Sequence, residues 1–236
     1  MSTDFQKIRV ASYNIRKAVG LDGQRKPGRI LDVINGLDAD VVALQEADKR
    51  LGNRPTALPR DMIERCTDFC VVPVADNDVS LGWHGNAVLA RKGLACSAPK
   101  RVAIPALEPR GAVSVTLGFA RPLTVIATHL GLTRRHRRHQ LDVLKNYAKT
   151  APHAIILGDF NEWSQARGLE TLSDFDVISP GATFHAARPI AALDRIALST
   201  GLKSSDAGVD ESALARRASD HLPIWADISL GDPAHV

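Results

Sequence analysis

The chain has 236 residues, of which 44% are hydrophobic and 24% are charged, a balance that predicts a soluble globular protein with a full core. Its formal charge of +4 and pI of about 9.1 suit a phosphorylated or polyanionic substrate, but they are too weak for a dedicated nucleic-acid coat protein. No apolar run could span a membrane and no secretory signal is visible, so we expect a cytoplasmic protein without membrane insertion.

Nothing in the sequence divides the chain into separate units. No Gly/Ser linker, low-complexity tract or internal repeat is visible, so we predict a single domain over residues 1–230, with a tail at 231–236 and a monomeric state. The three cysteines, Cys66, Cys70 and Cys96, lack the spacing of a metal site. We interpret them as reduced thiols, with Cys66 and Cys70 as packing residues.

Strands and helices alternate in the first third of the chain. Apolar residues recur at helical spacing after Pro27, which suits the first turn of a helix. The predicted elements of this part are a strand at 8–15, a helix at 28–36, a buried strand at 40–45, a helix at 57–66 and a strand at 69–74.

The remainder of the chain is richer in strands, which are joined by short polar turns that indicate antiparallel pairing. We predict strands at 86–91, 95–104, 111–119 and 123–129, a helix at 134–149, a strand at 154–158, a short helix at 165–172, and closing strands at 194–198, 203–207 and 224–228. The fold class is therefore α/β, with two mostly antiparallel sheets packed face to face and helices outside.

Polar side chains stand where many of these apolar runs begin or end. They are Asn14, Glu46, Asn86, His129, Asp159, Asn161, Asp194, Asp220 and His221. Any one of them could simply cap a strand or form a turn, as Gly-Asp often does. Because so many carboxylates, amides and histidines share this position, we expect them to converge on one rim of a layered fold.

The residue types at this rim indicate metal-assisted chemistry. Glu46, with Asn14 or Asp220 nearby, offers the hard oxygen ligands that Mg²⁺ or Mn²⁺ prefers. Arg110 could hold phosphate oxygens with a fixed positive fork, and Lys17 could also reach a phosphate.

The remaining rim residues supply acid–base groups. His129 and His221 have side chains whose ordinary pKa suits proton transfer near neutral pH, and Asp194 could orient His221. Asp159, with Asn161 beside it, could align and deprotonate a water molecule. These are the parts of in-line phosphoester hydrolysis.

Seven short motifs along the chain resemble those of the endonuclease/exonuclease/phosphatase superfamily, in that family's order. They are Y-N-I at 13–15, L-Q-E at 44–46, G-N-A at 85–87, T-H-L at 128–130, G-D-F-N at 158–161, L-D-R-I at 193–196 and S-D-H at 219–221. The resemblance is closest to the small bacterial metal-dependent hydrolases and implies a four-layered, deoxyribonuclease-I-like α/β sandwich with one catalytic domain.

The resemblance also implies roles for the rim residues. Asn14 and Glu46 would serve the metal, with Asp220 near it, and Asp159 and Asn161 would position the attacking water and the phosphate. His221 would contact the scissile phosphate and pair with Asp194. The family position of Asn86 binds phosphate or braces a catalytic residue, and His129 would bind phosphate or assist the leaving group.

The sequence leaves three functions open. A Mg²⁺-dependent phosphodiesterase acting on nucleic acid, as an endonuclease or exonuclease, is the first. A phosphoesterase acting on a phospholipid, a sphingolipid or a small molecule is the alternative, because fold does not choose between them. An inactive binding module is the third, although it predicts losses among the motifs and none is seen.

A cluster of arginines opens the helix after the T-H-L motif. Arg134, Arg135, Arg137 and Arg138 could form a patch facing a polyanion or the solvated first turns of the helix. Arg137 and Gln140 lie one turn apart, and we expect them to hold this helix to the rim.

Overall fold

The computed structural model describes residues 7–164 and 167–230, and this part of the chain contains twelve strands and four α-helices. The strands are β1 (Ile8–Asn14), β2 (Val41–Gln45), β3 (Phe69–Val71), β4 (Ala87–Arg91), β5 (Cys96–Ala103), β6 (Gly111–Leu117), β7 (Leu123–His129), β8 (His153–Asp159), β9 (Asp176–Ile178), β10 (Asp194–Leu198), β11 (Leu202–Val209) and β12 (Ile224–Leu230). The helices are α1 (Pro27–Gly36), α2 (Arg60–Cys66), α3 (Arg134–Ala148) and α4 (Ala215–Ala218), with 3-10 turns at Arg16–Ala18 and Glu170–Leu172.

The strands form two six-stranded mixed sheets, in the orders β11-β12-β1-β2-β4-β3 and β5-β6-β7-β8-β10-β9. Each sheet has one parallel pair, β1 with β2 and β7 with β8, while its other neighbours are antiparallel. The order β1-β2-β4-β3 recurs as β7-β8-β10-β9. The two halves of the chain therefore build the same motif, although no repeat is visible in the sequence.

Three buried apolar clusters separate four layers. One lies between α1, α2 and the first sheet, one lies between the two sheets, and one lies between the second sheet and α3. Since the central strands of each sheet are covered on both faces, they are apolar on both faces rather than alternating, whereas the edge strands β5 and β11 are largely exposed. This arrangement confirms the four-layered α/β sandwich.

The helices that cover the sheets follow from their apolar spacing. Pro27 occupies the first turn of α1, and Ile30, Leu31 and Ile34 are buried against the first sheet. On the other side, Leu141 and Leu144 of α3 are buried against the second sheet. Each of these helices connects a parallel strand pair, as a crossover between parallel strands requires.

Some local predictions were wrong. Glu170–Leu172 is a 3-10 turn rather than the end of a helix from 165, and residues 165–166 lie outside the described residues. Strand β9 was not predicted, and α2 begins at Arg60 because Pro59 sits at its start. Cys66 and Cys70 are exposed free thiols and not packing residues. The predicted tail at 231–236 lies outside the described residues.

Candidate active site

The pleat of the strands brings the polar strand-end residues together. Val10 in β1, Ala127 in β7, Leu157 in β8 and Ile196 in β10 all face the core between the two sheets. Successive side chains alternate between the faces of a strand, so residues two or four positions away share that face. The residues that continue these four inward-facing rows are Asn14, His129, Asp159 and Asp194. They meet at one end of the crevice between the sheets, and all four are buried.

Asp159 is the centre of this group. Its Oδ2 accepts a hydrogen bond from Asn14 Nδ2 at 3.0 Å and lies 3.2 Å from His129 Nε2 and 3.6 Å from His221 Nε2. Its Oδ1 accepts the backbone N–H of Asn161 at 2.9 Å. Burial opposes ionisation, but the charge of His221 and the contacts with His129 and Asn161 hold the pKa of Asp159 well below its usual range. Asp159 is therefore a carboxylate at neutral pH.

The two histidines beside Asp159 differ in their protonation state at neutral pH. Burial alone would lower the pKa of His221, but Asp194, whose Oδ2 lies 2.9 Å from Nδ1, and Asp159 raise it to about 9. Thr183 Oγ1 donates to the same oxygen of Asp194 at 2.6 Å and fixes this carboxylate, whose own pKa is raised by burial. Burial lowers the pKa of His129. At neutral pH His221 is charged and His129 is neutral.

The backbone geometry explains why glycine and asparagine occur in the G-D-F-N motif. Gly158 has a φ of 151°, and a Cβ at this position would lie 1.9 Å from the carbonyl oxygen of Thr128 in the neighbouring parallel strand. Asn161 adopts a left-handed φ of 51°, which asparagine tolerates better than most residues, and its Nδ2 donates to the carbonyl of Leu130 at 2.9 Å. Gly158 thus lets β8 approach β7 closely. The left-handed backbone at Asn161 accompanies the hydrogen bond from its N–H to Asp159.

Glu46 lies at the open edge of the site, where two cations converge on it. Its Oε2 pairs with Lys17 Nζ, and its Oε1 lies 3.2 Å from Arg50 Nη2. Asp220 also attracts Lys17 electrostatically. Because this carboxylate is paired with both an ammonium and a guanidinium, positive charge is favoured at this position. The carboxylate of Glu46 thus offers hard oxygens to a divalent metal at this edge, and the sharing of that metal with Asn14 and Asp220 stays a prediction.

A second group of potential metal ligands lies deeper. One ligand atom from each of Asp159, Asp194 and His221 lies within 4.8 Å of the others. Both ring nitrogens of His221 face these carboxylates, and a metal ligand must be a neutral imidazole. Because the pKa of His221 is raised to about 9, its protonated form competes with a metal at this position. The group is better described as a chain of ion-paired side chains.

Two residues predicted to bind phosphate lie in different surroundings. Asn86 is fully buried, and its Nδ2 donates to the carbonyl of Gly111 at 3.0 Å, so it braces β4 against β6. In this position it has no exposed surface with which to touch a phosphate. Arg110 is ion-paired with Glu108 at 3.1 Å and lines a cavity with Lys17 beside His129, where a phosphate contact is sterically open.

A buried ion pair behind the site was not predicted. Glu162, which directly follows the G-D-F-N motif, is 1% exposed and lies 2.7 Å from Arg137 Nη2 and 3.0 Å from Arg134 Nη2. Arg137 also donates to the carbonyl of Leu132, and Gln140 accepts the N–H of Gly131 at 2.8 Å. The prediction that Arg137 and Gln140 hold α3 to the rim is thus confirmed. No local signal pointed to this pair, because Glu162 and Arg137 are 25 positions apart.

Comparison with known proteins identifies the family of the chain. The model of the Endonuclease/Exonuclease/phosphatase family matches residues 11–221, and the chain belongs to that family. The uncharacterized protein YbhP of Escherichia coli K12 is 31% identical over 165 residues, a match that spans 63% of this chain and 64% of YbhP.

Two solved structures illustrate the shared fold. D. rerio TDP2 complexed with a single-strand DNA product is 17% identical, with a TM-score of 0.73 over 95% of this chain and 99% of that one. The human Nocturnin catalytic domain with a bound sulfate anion is 20% identical, with a TM-score of 0.72 over 98% of this chain and 96% of that one. At these identities the likeness is one of fold, and it confirms the expected deoxyribonuclease-I-like sandwich.

Proposed function

We propose that this protein is a divalent-metal-dependent phosphodiesterase that hydrolyses nucleic acid by in-line attack of water. The observation that carries the proposal is the position of the buried Asp159 carboxylate, which His129 Nε2 approaches at 3.2 Å and His221 Nε2 at 3.6 Å. A base and an acid with separated pKa values are what hydrolysis by proton transfer requires.

The proposed roles follow from these protonation states. Asp159, aligned by the backbone of Asn161, takes a proton from the water as its oxygen attacks phosphorus. The bond from phosphorus to the leaving oxygen breaks, and the protonated His221 gives that oxygen its proton. His129 donates or accepts a hydrogen bond at a phosphate oxygen, and Arg110 and Lys17 offset the phosphate charge. Asp194 is a positioning residue that keeps His221 protonated and oriented.

A metal would complete the site at its open edge. Glu46, Asn14 and Asp220 would hold Mg²⁺, with Mn²⁺ as a substitute, because all three offer hard oxygen ligands. When bound, the ion would withdraw charge from the phosphoryl oxygens as a Lewis acid.

Two observations support nucleic acid as the substrate. The TDP2 structure of the same fold contains a single-strand DNA product. In this chain, Phe184 lies 5.0 Å from the ring of His221, and the 59%-exposed Trp163 lies 5.9 Å beyond Phe184. Exposed aromatic rings beside a reaction centre can stack on nucleobases without sequence preference. Nucleic acid as a partner remains a proposal.

A lipid or small-molecule phosphoester is the second candidate, and exposed apolar side chains favour it. Leu51, Leu107, Leu132 and Ile190 are each between 65% and 85% exposed, on loops that adjoin the polar strand ends. Such side chains could enter the surface of a lipid layer around the site. No helix within the described ranges is long and apolar enough to cross a membrane.

The test is a substrate panel for the purified protein. Single- and double-stranded DNA, RNA, bis-p-nitrophenyl phosphate, p-nitrophenyl phosphate and sphingomyelin would each be incubated with Mg²⁺, with Mn²⁺ and with chelator. We expect metal-dependent cleavage of nucleic acid and of the diester. Cleavage of sphingomyelin or the monoester alone would favour the second candidate, and inactivity throughout would contradict the enzymatic proposal and favour a binding module.

A further inference from the structure

A cavity lined by positive side chains adjoins the reaction centre. Lys17, Arg50, Arg54 and Arg110 contribute to its wall, and His129 lines it as well. Because His129 Nε2 also lies 3.2 Å from Asp159, the cavity opens directly beside the proposed position of the scissile phosphate.

The carboxylates in this wall already have partners. Glu46 is paired with Lys17 and Arg50, and Glu108 is paired with Arg110. Asp48 is buried and accepts the backbone N–H groups of Leu81 at 2.6 Å and Gly82 at 3.3 Å, so it holds a loop in place. Glu46 and Glu108 are thus already ion-paired, whereas Asp48 attracts Arg54 electrostatically but directs its hydrogen bonds at the backbone.

Arg54 is a further cation in the wall. Within residues 7–164 and 167–230 its guanidinium forms no ion pair with a carboxylate, and its buried Nε has no hydrogen-bond partner. Its backbone is nevertheless fixed in a left-handed conformation, with φ at 53°, and its carbonyl accepts Ser80 Oγ at 2.8 Å. A partly buried guanidinium that contacts no carboxylate and keeps an N–H without a partner favours an anion beside it.

The neighbour of Arg54 accepts a hydrogen bond without adding negative charge. Arg54 Nη1 lies 2.8 Å from His84 Nδ1. Burial and the charge of Arg54 lower the pKa of His84, so the neutral ring accepts at Nδ1. His84 therefore orients the guanidinium and leaves its positive charge available to the cavity. A planar guanidinium held in this way suits the oxygens of a phosphate.

We propose that this cavity binds a second phosphoryl group of the substrate, next to the one that is hydrolysed, with Arg54 as its main cation. The inference rests on the proposed function for the position of the scissile phosphate. It assigns the substrate to a chemical class, namely molecules that carry two neighbouring phosphoryl groups. Either an internucleotide diester or a terminal phosphomonoester could supply the second group.

The test measures binding in chelator, where it does not depend on turnover. Calorimetric titrations would compare thymidine 5′-phosphate, thymidine 3′,5′-bisphosphate and the dinucleotide pTpT. We expect at least tenfold tighter binding of the bisphosphate, of pTpT or of both. A preference for the bisphosphate alone identifies a terminal monoester as the second group, and a preference for pTpT alone identifies a diester. Binding of both within twofold of the monophosphate would overturn the proposal.

Variants of Arg54 test whether this residue causes the preference for two phosphoryl groups. Arg54→Gln should reduce the preference to threefold or less, and Arg54→Lys, which keeps the charge without the fork, should retain part of it. Arg65→Gln is the control, because Arg65 is 71% exposed on α2 and pairs only with Asp61 among the described residues, and it should bind as the native protein does. Unchanged preference in a folded Arg54→Gln would overturn the assignment, with folding checked by near-ultraviolet circular dichroism.

The same proteins separate this inference from the proposed function. A native protein that prefers two phosphoryl groups but hydrolyses no diester with Mg²⁺ would keep the cavity assignment and contradict the catalytic one. A native protein that hydrolyses bis-p-nitrophenyl phosphate but shows no preference for two phosphoryl groups would keep the catalytic assignment and contradict the cavity assignment.

Discussion

The buried and the open halves of the site differ in residue types and in electrostatic character. In the buried half, His221 lies between the carboxylates of Asp159 and Asp194, and each carboxylate is at most 1% exposed. In the open half, Arg50 is 66% exposed and Arg54 has a buried N–H without a partner. The buried half therefore sets protonation states, whereas the open half has positive charge available for a ligand.

This difference predicts how strongly each half responds to change. A charge pair in low-dielectric surroundings interacts several times more strongly than the same pair near water. Substitutions in the buried half should therefore alter rate and stability by large factors, and substitutions in the open half should have smaller effects.

The largest of these effects is expected for Asp194→Asn. The variant removes the negative charge that raises the pKa of His221, so the ring should lose its proton at a lower pH and the rate of diester hydrolysis should fall about 10³-fold at pH 8. The measurements are kcat and the NMR titration of His221. A variant with a normal rate and an unchanged titration would show that Asp194 does not control this histidine.

The two ion pairs of Glu162 should show the same difference, because Arg137 is buried and Arg134 is half-exposed. Glu162→Gln leaves the buried Arg137 without a counter-charge and should lower the free energy of unfolding by about 3 kcal/mol. Arg134 is half-exposed, so Arg134→Gln should lower it by much less. Urea unfolding measures both. Equal losses would mean that burial does not govern this pair.

Stability should fall in alkaline solution because of His221. Its pKa is raised in the folded protein from 6.5 to about 9, so its protonation stabilises the fold fully below about pH 6.5, and this contribution is lost as the pH rises through about 9. The loss should approach about 3 kcal/mol. Urea unfolding at pH 6 and pH 10 would test this, with His221→Gln as the control. A native protein that loses no more stability than the control would contradict the raised pKa.

The smallest effect should come from the exposed rim. Arg50 contacts Glu46 from an exposed position, and water screens such a pair. Arg50→Gln should therefore change KM by less than about threefold and leave the free energy of unfolding within about 0.5 kcal/mol of the native value. Steady-state kinetics and urea unfolding check this. A change as large as that of Asp194→Asn would remove the distinction between the two halves.

Local chemistry explains which elements the sequence could predict. The bounds of β7 and β10 matched the predictions, because each strand is mostly apolar and has a polar residue at one end, His129 at the end of β7 and Asp194 at the start of β10. Their pleat also accounts for His129 and Asp194 facing the crevice. The short strand β9 was missed, since its partly exposed residues form an edge strand whose order depends on pairing with β10.

The parts of the site that escaped prediction depend on distant contacts. Glu162 and Arg137 are 25 positions apart, and neither residue type indicates burial until the fold brings them together. The same holds for Arg54 and His84, which are 30 positions apart. The burial of Asn86 under the site likewise reflects its bond to Gly111, 25 positions away.

The most direct test of the central claim is the hydrolysis of bis-p-nitrophenyl phosphate by the native protein and by Asp159→Asn, with Mg²⁺ and with chelator. The account predicts that the native protein is active only with the metal and that the variant is slower by about 10³-fold, since it lacks the general base. A folded variant within tenfold of the native rate would contradict the assignment of Asp159. Undiminished activity of the native protein in chelator would contradict the metal dependence.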